Sequence, residues 1–172
     1  MKKAFTLMEV NLAILIMAGG ILSIIGLYSL GFRENRQSAE DVASAAYADA
    51  VISPLVNALS ATNIQWSVFR DLQSAPGNDG WHKYFNNDGV VVSDPEGVAK
   101  GAFNNIMGKL NASGVGAEWP SSASGGLKAG LVILHKSDSA VVRICFRATK
   151  NIGMLLAAPT YYTEVRFQGV VE

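Results

Sequence analysis

Hydrophobic and polar positions along this chain change their rhythm several times, and each rhythm predicts a different kind of element. Residues 10–32 carry no Asp, Glu, Lys or Arg at all. As a helix rising about 1.5 Å per residue, the run covers roughly 35 Å, enough to cross a bilayer. After Phe32 the pattern turns amphipathic. Ala39, Val42, Ala43, Ala46, Tyr47, Ala50 and Val51 recur at helical spacing, with Arg36, Glu40, Asp41, Ser44 and Asp49 between them. This predicts one long helix with two environments, the first half facing lipid and the second lying under a sheet. At Ser53-Pro54 the ring of Pro54 crowds the carbonyl of Ala50 and removes an amide. A kink or restart is expected there, with the helix ending by about Asn63.

From about Gln65 to Gly126 the chain is rich in Gly, Asn, Asp and Ser, with short structured islands. Trp81–Phe85 and Val90–Val92 flank Asn86-Asn87-Asp88-Gly89, a hairpin signal because Asp-Gly tolerates positive dihedrals. Phe103, Ile106, Met107 and Leu110 have the spacing of a short helix, and Ser121–Gly126 reads as an exposed connector. The C-terminal part alternates with period two. Leu131–His135 and Ala140–Ala148 flank a polar turn, with Val142, Ile144 and Phe146 set against Arg143, Cys145 and Arg147. A last strand, Tyr161–Val171, sets Tyr161, Thr163, Val165 and Phe167 against Tyr162, Glu164, Arg166 and Gln168. A β-meander with one dry face needs a cover, and the amphipathic half of the long helix is available. The predicted fold class is therefore α+β, a long N-terminal helix packed on a C-terminal antiparallel sheet.

Composition narrows this picture. The 172 residues leave about 140 beyond the apolar run, enough for one modest domain. Formal net charge is zero, so no basic bias points to nucleic acid as a partner. The single Cys145 excludes an intrachain disulfide, so the C-terminal region is held by packing or by metal.

The residue that stands out is Glu9, a carboxylate at the N-terminal edge of the apolar run, with Lys2 and Lys3 ahead of it. Lysines at the short end favour a cytoplasmic N-terminus and an exported body. One reading is a secretory signal peptide cut after Ser29-Leu30-Gly31, which has a small-x-small form. Against it, Glu9 is negative where such a signal is normally positive, and the residues past Gly31 keep helical habits.

The other reading comes from Lys2-Lys3-Ala4-Phe5-Thr6-Leu7-Met8-Glu9-Val10. This segment closely resembles the class III signal of type IV pilins and type II secretion pseudopilins. The resemblance covers about 30 residues, through the apolar helix. It implies cleavage between Ala4 and Phe5 by a prepilin peptidase, N-methylation of Phe5, and an assembly role for Glu9, the family glutamate. The residue before the cut is normally Gly and here is Ala4, the smallest substitute. Gly26 stands where major subunits often carry a proline, which leans the resemblance toward minor pilins or minor pseudopilins. The implied organisation is a leader (1–4), a transmembrane and assembly half-helix (5–32), an amphipathic half-helix (33–63), a variable loop region (64–126) and a head sheet (127–172). The implied partners are pilin subunits in a helical filament, the peptidase, an inner-membrane assembly platform and, before assembly, membrane lipid. The implied place is a bacterial inner membrane, single pass with an exported head, and then a filament. In the family Glu9 would pair with the methylated amine of Phe5, in its own chain or in a neighbour. Such a pair offsets desolvation only in good geometry, and so rewards correct axial register.

Elsewhere the chemistry is sparse. His82 and His135 lie far apart without metal-ligand spacing and read as surface or strand-end residues. Cys145 reads as a buried or half-buried structural thiol. Asp79, Asp88, Asp94 and Glu96 lack the spacing of a calcium loop and read as turn acids. Trp66, Trp81 and Trp119 read as core anchors. No catalytic, cofactor or metal residue is assigned, and the chain reads as a structural subunit and not an enzyme. Two other classes stay open. One is a pilin-like stem that displays residues 64–126 as an adhesive or ligand-binding tip, and the other is a membrane-anchored exported enzyme.

Overall fold

The computed structural model describes residues 6–72, 80–85, 88, 90, 92–110, 118–120, 126–135 and 139–170. Its fold is α+β. A long helix, α1 (Leu7–Leu59), packs through its C-terminal part on a three-stranded antiparallel sheet. The chain divides into two compact units, Met1–Val42 and Ala43–Glu172. In the first unit the described residues are all helical beyond Thr6, and all are exposed.

The second unit holds the core. On α1 the buried positions are Ser44, Tyr47, Ala48, Val51, Leu55 and Leu59, which share one face because, the adjacent Tyr47 and Ala48 apart, they recur every three or four residues. That stripe is narrower and later than the periodicity predicts. Val51 and Tyr47 are buried as expected, whereas Ala39, Val42, Ala43 and Ala46 are exposed. Tyr47 meets Phe146 edge to face at 5.2 Å, and the Ser44 hydroxyl lies 2.7 Å from that of Tyr161. The helix does not restart at Pro54, which lies inside it, and it ends at Leu59, before Asn63 as expected. A proline in a helix interior costs about 3 kcal/mol. Burial of Val51, Leu55 and Leu59 around it is worth about 1.5–3 kcal/mol per side chain and outweighs it.

Beyond α1 a short helix, α2 (Trp66–Arg70), buries Phe69. Phe167 stands 5.0 Å from both Trp66 and Phe69, and a parallel bridge between Gln65 and Val170 ties the chain end to this corner. Of the hairpin predicted at Trp81–Val92, Phe85 makes a β-bridge, but the first arm is not a strand. Trp81–Tyr84 is a 3-10 turn, joined to Val92 by one backbone bond from the Val92 amide to the Tyr84 carbonyl at 2.9 Å. Asn86, Asn87, Gly89 and Val91 lie outside the described residues. Trp81 and Tyr84 are both core residues, and at their odd spacing an alternating strand would put them on opposite faces. The predicted short helix is longer than its apolar spacing suggests. α3 (Pro95–Lys109) starts from Asp94, whose carboxylate accepts from the Gly97 amide at 2.9 Å, with Pro95 in the first turn.

The strands β1 (Lys128–His135), β2 (Val141–Thr149) and β3 (Thr160–Arg166) run in that order across the sheet. β1 begins earlier than predicted, and β3 stops at Arg166 instead of Val171. The predicted alternation holds. Val142, Ile144 and Phe146 are fully buried, and Val165 is buried while Tyr162, Glu164 and Arg166 are exposed. The opposite face of the sheet is not uniformly wet. Gly130, paired with Arg147, leaves room for the Trp81 ring, and the Arg147 guanidinium lies 4.2 Å from that ring's centre. Cys145 on the same face is 7% exposed, and burial pushes its thiol upward from the ordinary value despite Arg143 and Arg147 nearby.

Candidate functional site

The first turn of α1 places Glu9 where helix geometry needs an acceptor. The leading amides of a helix have no partner inside it. Thr6 precedes the helix, and its backbone amide and hydroxyl both donate to one Glu9 carboxylate oxygen, at 2.9 and 3.0 Å. The Glu9 amide in turn donates to the Thr6 hydroxyl at 3.3 Å. This reciprocal arrangement is a capping box, built by Thr-x-x-Glu. The signature Thr6-Leu7-Met8-Glu9 is legible in the sequence, but the role of Thr6 as the local partner of Glu9 is not among the expectations above. Ala4 and Phe5, the predicted cleavage pair, lie outside the described residues.

Behind Glu9 the helix is uncharged through Phe32 and, Asn11 apart, offers mostly apolar surface and small residues. Leu7 and Met8 are more than 80% exposed, and Leu12, Ile14, Leu15, Ile16 and Met17 continue the apolar surface around the helix. The hydroxyls of Ser23 and Ser29 fold back onto the carbonyls of Gly19 and Gly26, at 2.8 and 2.9 Å. Each hydroxyl proton is thereby satisfied inside the helix and needs no water. Tyr28 and Phe32 lie one turn apart with ring centres 6.4 Å from each other, beside a shallow groove that also touches Ile24, Leu27, Gly31 and Asn35. By length and composition α1 can cross a membrane.

The other sequence candidates separate into structural roles. His135 ends β1, as expected, but it is buried instead of superficial. Its two ring nitrogens face the carbonyls of Arg70 and Ser139, at 3.0 and 2.6 Å. The side chain of His82 and the whole of Asp79 lie outside the described residues. Asp94 caps α3. Glu96 accepts from the Tyr47 hydroxyl at 3.3 Å and from the Trp119 indole at 3.4 Å, and burial together with this carboxylate raises the Tyr47 phenol from its ordinary value. Trp81 and Trp119 are buried and Trp66 partly so. Among the described residues no three of His, Cys, Asp and Glu come together, and every buried side-chain nitrogen or oxygen has a partner.

Comparison with family models, with curated proteins and with solved structures finds no match to this chain.

Proposed function

We propose that this chain is a structural subunit of a type IV pilus or a type II secretion pseudopilus, polymerised through α1. The observation that carries the reading is Glu9 at the head of an exposed apolar helix, inside a segment that resembles a prepilin cleavage signal. Removal of residues 1–4 by a prepilin peptidase makes Phe5 the N-terminal, methylated residue. Its charged amine then lies next in sequence to Thr6, the residue that already holds the Glu9 carboxylate. A carboxylate has room for further donors beyond the two from Thr6. It can accept the amine of its own Phe5 or of a neighbour without giving up the capping box. Apolar packing of neighbouring helices supplies the cohesion, and the ion pair discriminates the axial register. The exposed stripe of Ala39, Val42, Ala43 and Ala46 extends the surface open to neighbours beyond the charge-free run.

Intact mass and N-terminal peptide mass of the protein from its native membrane test the processing step. A chain beginning at N-methyl-Phe5 supports the reading; a chain beginning after Gly31 removes both the anchor and Glu9 and sinks it. The register mechanism has its own test. Glu9→Ala is expected to enter filaments at least about tenfold less than wild type in direct competition, which corresponds to about 1.4 kcal/mol. Equal incorporation would leave Glu9 with a capping role only.

A further inference from the structure

At the end of β1 a buried histidine is held between two backbone acceptors. His135 is the last residue of the strand and 7% exposed, with the Phe69 ring edge to face at 5.2 Å. Its Nδ1 lies 3.0 Å from the carbonyl of Arg70, the last residue of α2, and its Nε2 lies 2.6 Å from the carbonyl of Ser139, just ahead of β2. A carbonyl oxygen only accepts. A neutral imidazole has one N–H and one lone pair, so it serves one of these carbonyls and turns its lone pair on the other. The imidazolium donates to both.

Each carbonyl is positioned by its own backbone. The Asp71 and Leu72 amides donate to the Val68 and Phe69 carbonyls at 3.3 Å each, which closes the end of α2, and the Val141 amide donates to the Ser139 hydroxyl at 3.1 Å. Charged groups on the surrounding elements are engaged elsewhere. Arg70 and Asp71 pair with each other at 3.4 Å, and the Lys109 ammonium at the end of α3 donates to the Asp71 carbonyl at 2.8 Å. Arg143 and Glu164 pair with each other on the opposite face of the sheet, where Arg166 is also exposed. Among the described residues no carboxylate bonds to the ring; Lys136 and Asp138, close in sequence, lie outside them.

We propose that His135 is a pH-sensitive latch that ties α2 to the β1–β2 turn when charged and releases the end of α2 when neutral. The neutral ring keeps the shorter bond, to Ser139, and faces the Arg70 carbonyl with a lone pair. α2 carries the rings that meet Phe167, so its release loosens the corner where Gln65 bridges to Val170. The folded chain holds a proton that the unfolded chain, with histidine at its ordinary value of about 6.5, gives up at neutral pH. Stability owed to the latch is full below that value and is lost as pH rises above it. This inference uses neither Glu9 nor α1, and it stands whether or not the chain assembles into a filament.

Nitrogen NMR of the full chain in detergent, with His82→Gln so that only His135 gives ring signals, tests the charge without disturbing the site. Both ring nitrogens are expected to carry protons at pH 7; one unprotonated nitrogen overturns the proposal. Urea titrations from pH 6 to 7.5 test the linkage, in a window that stops short of Lys83, whose amine burial lowers to about 8. The folding constant of wild type is expected to fall roughly fivefold or more, while His135→Gln, which does not titrate, stays flat. Equal pH dependence in the two chains overturns the latch. Asp138→Asn is expected to keep the fall, and its loss there would mean that this carboxylate, and not the two carbonyls, holds the proton. Over the same window hydrogen-exchange protection at the Asp71 and Leu72 amides is expected to drop relative to Ile144 in the middle of the sheet. Unchanged relative protection would show that α2 is not released.

Discussion

Tyr84 illustrates how much one hydroxyl can carry. It satisfies both backbone groups of Leu131 on an edge strand, and burial raises its phenol from the ordinary range, so it stays protonated and able to donate. Tyr84→Phe leaves those two groups without their partner at the cost of only one atom. The expected loss is about 1–3 kcal/mol, read as a lower urea midpoint at unchanged slope. Its neighbour Lys83 is the opposite case. Burial lowers its amine from 10.5 to about 8, and the face of the Tyr84 ring, 5.3 Å away, offsets the lost hydration in part. The folded state therefore binds the proton less well than the unfolded state. Stability is lower below about pH 8 and rises as pH climbs from about 8 toward 10.5, the window in which the unfolded chain still holds its proton. Lys83→Met is expected to raise stability at pH 7 by about 1 kcal/mol, discounted for the amine's partial exposure, and to flatten that rise. Urea titrations at pH 7, 8 and 10 would check both parts.

At the scale of elements, periodicity is legible in the sequence, whereas caps and tertiary contacts are not. The alternation of Val142, Ile144 and Phe146 located β2 and its dry face, and Ala140–Ala148 nearly matches the strand that forms. The run after Phe32 was read correctly as helix. Its buried stripe was misplaced, because Ser44 looks polar yet is buried beside Tyr161, whereas Val42 looks apolar and is exposed. Trp81 to Val92 carried a hairpin signal in its turn residues alone. What decided the outcome was the space over Gly130 that takes the Trp81 ring, which no local window contains. The candidate site was half legible. Glu9 stands out as a lone acid beside an apolar run, while Thr6 as its partner follows only from the capping-box spacing. Pro54 was expected to interrupt α1, and its cost is hidden by the packing of Val51, Leu55 and Leu59. Pro54→Ala restores the missing amide and relieves the clash with the preceding turn. It is expected to stabilise the protein by about 1–3 kcal/mol, visible as a higher urea midpoint. A loss of stability would mean that α1 is shaped around the proline.

For the whole molecule, the division into two units separates the packed core from the exposed apolar stretch of α1. Every buried core residue lies at Tyr47 or beyond, and the described residues of the first unit are exposed without exception. Truncation before Asn35 would remove the charge-free run, the groove beside Tyr28 and Phe32, and Glu9, while leaving each contact of the core intact. Ser44, Tyr47 and Ala48 would keep about two turns of helix ahead of them, enough to hold the first buried positions in register. The truncated chain is expected to stay in aqueous solution without detergent and to unfold within about 0.5 kcal/mol of the full chain, the range of changes that touch no buried group. The full chain is expected to need detergent, since apolar surface on the scale of a membrane-spanning helix far exceeds what soluble monomers expose. Solubility and urea midpoints of both chains would decide it. A truncated head that aggregates or loses several kcal/mol would mean that residues before Asn35 support the core, and that the first unit is more than an anchor.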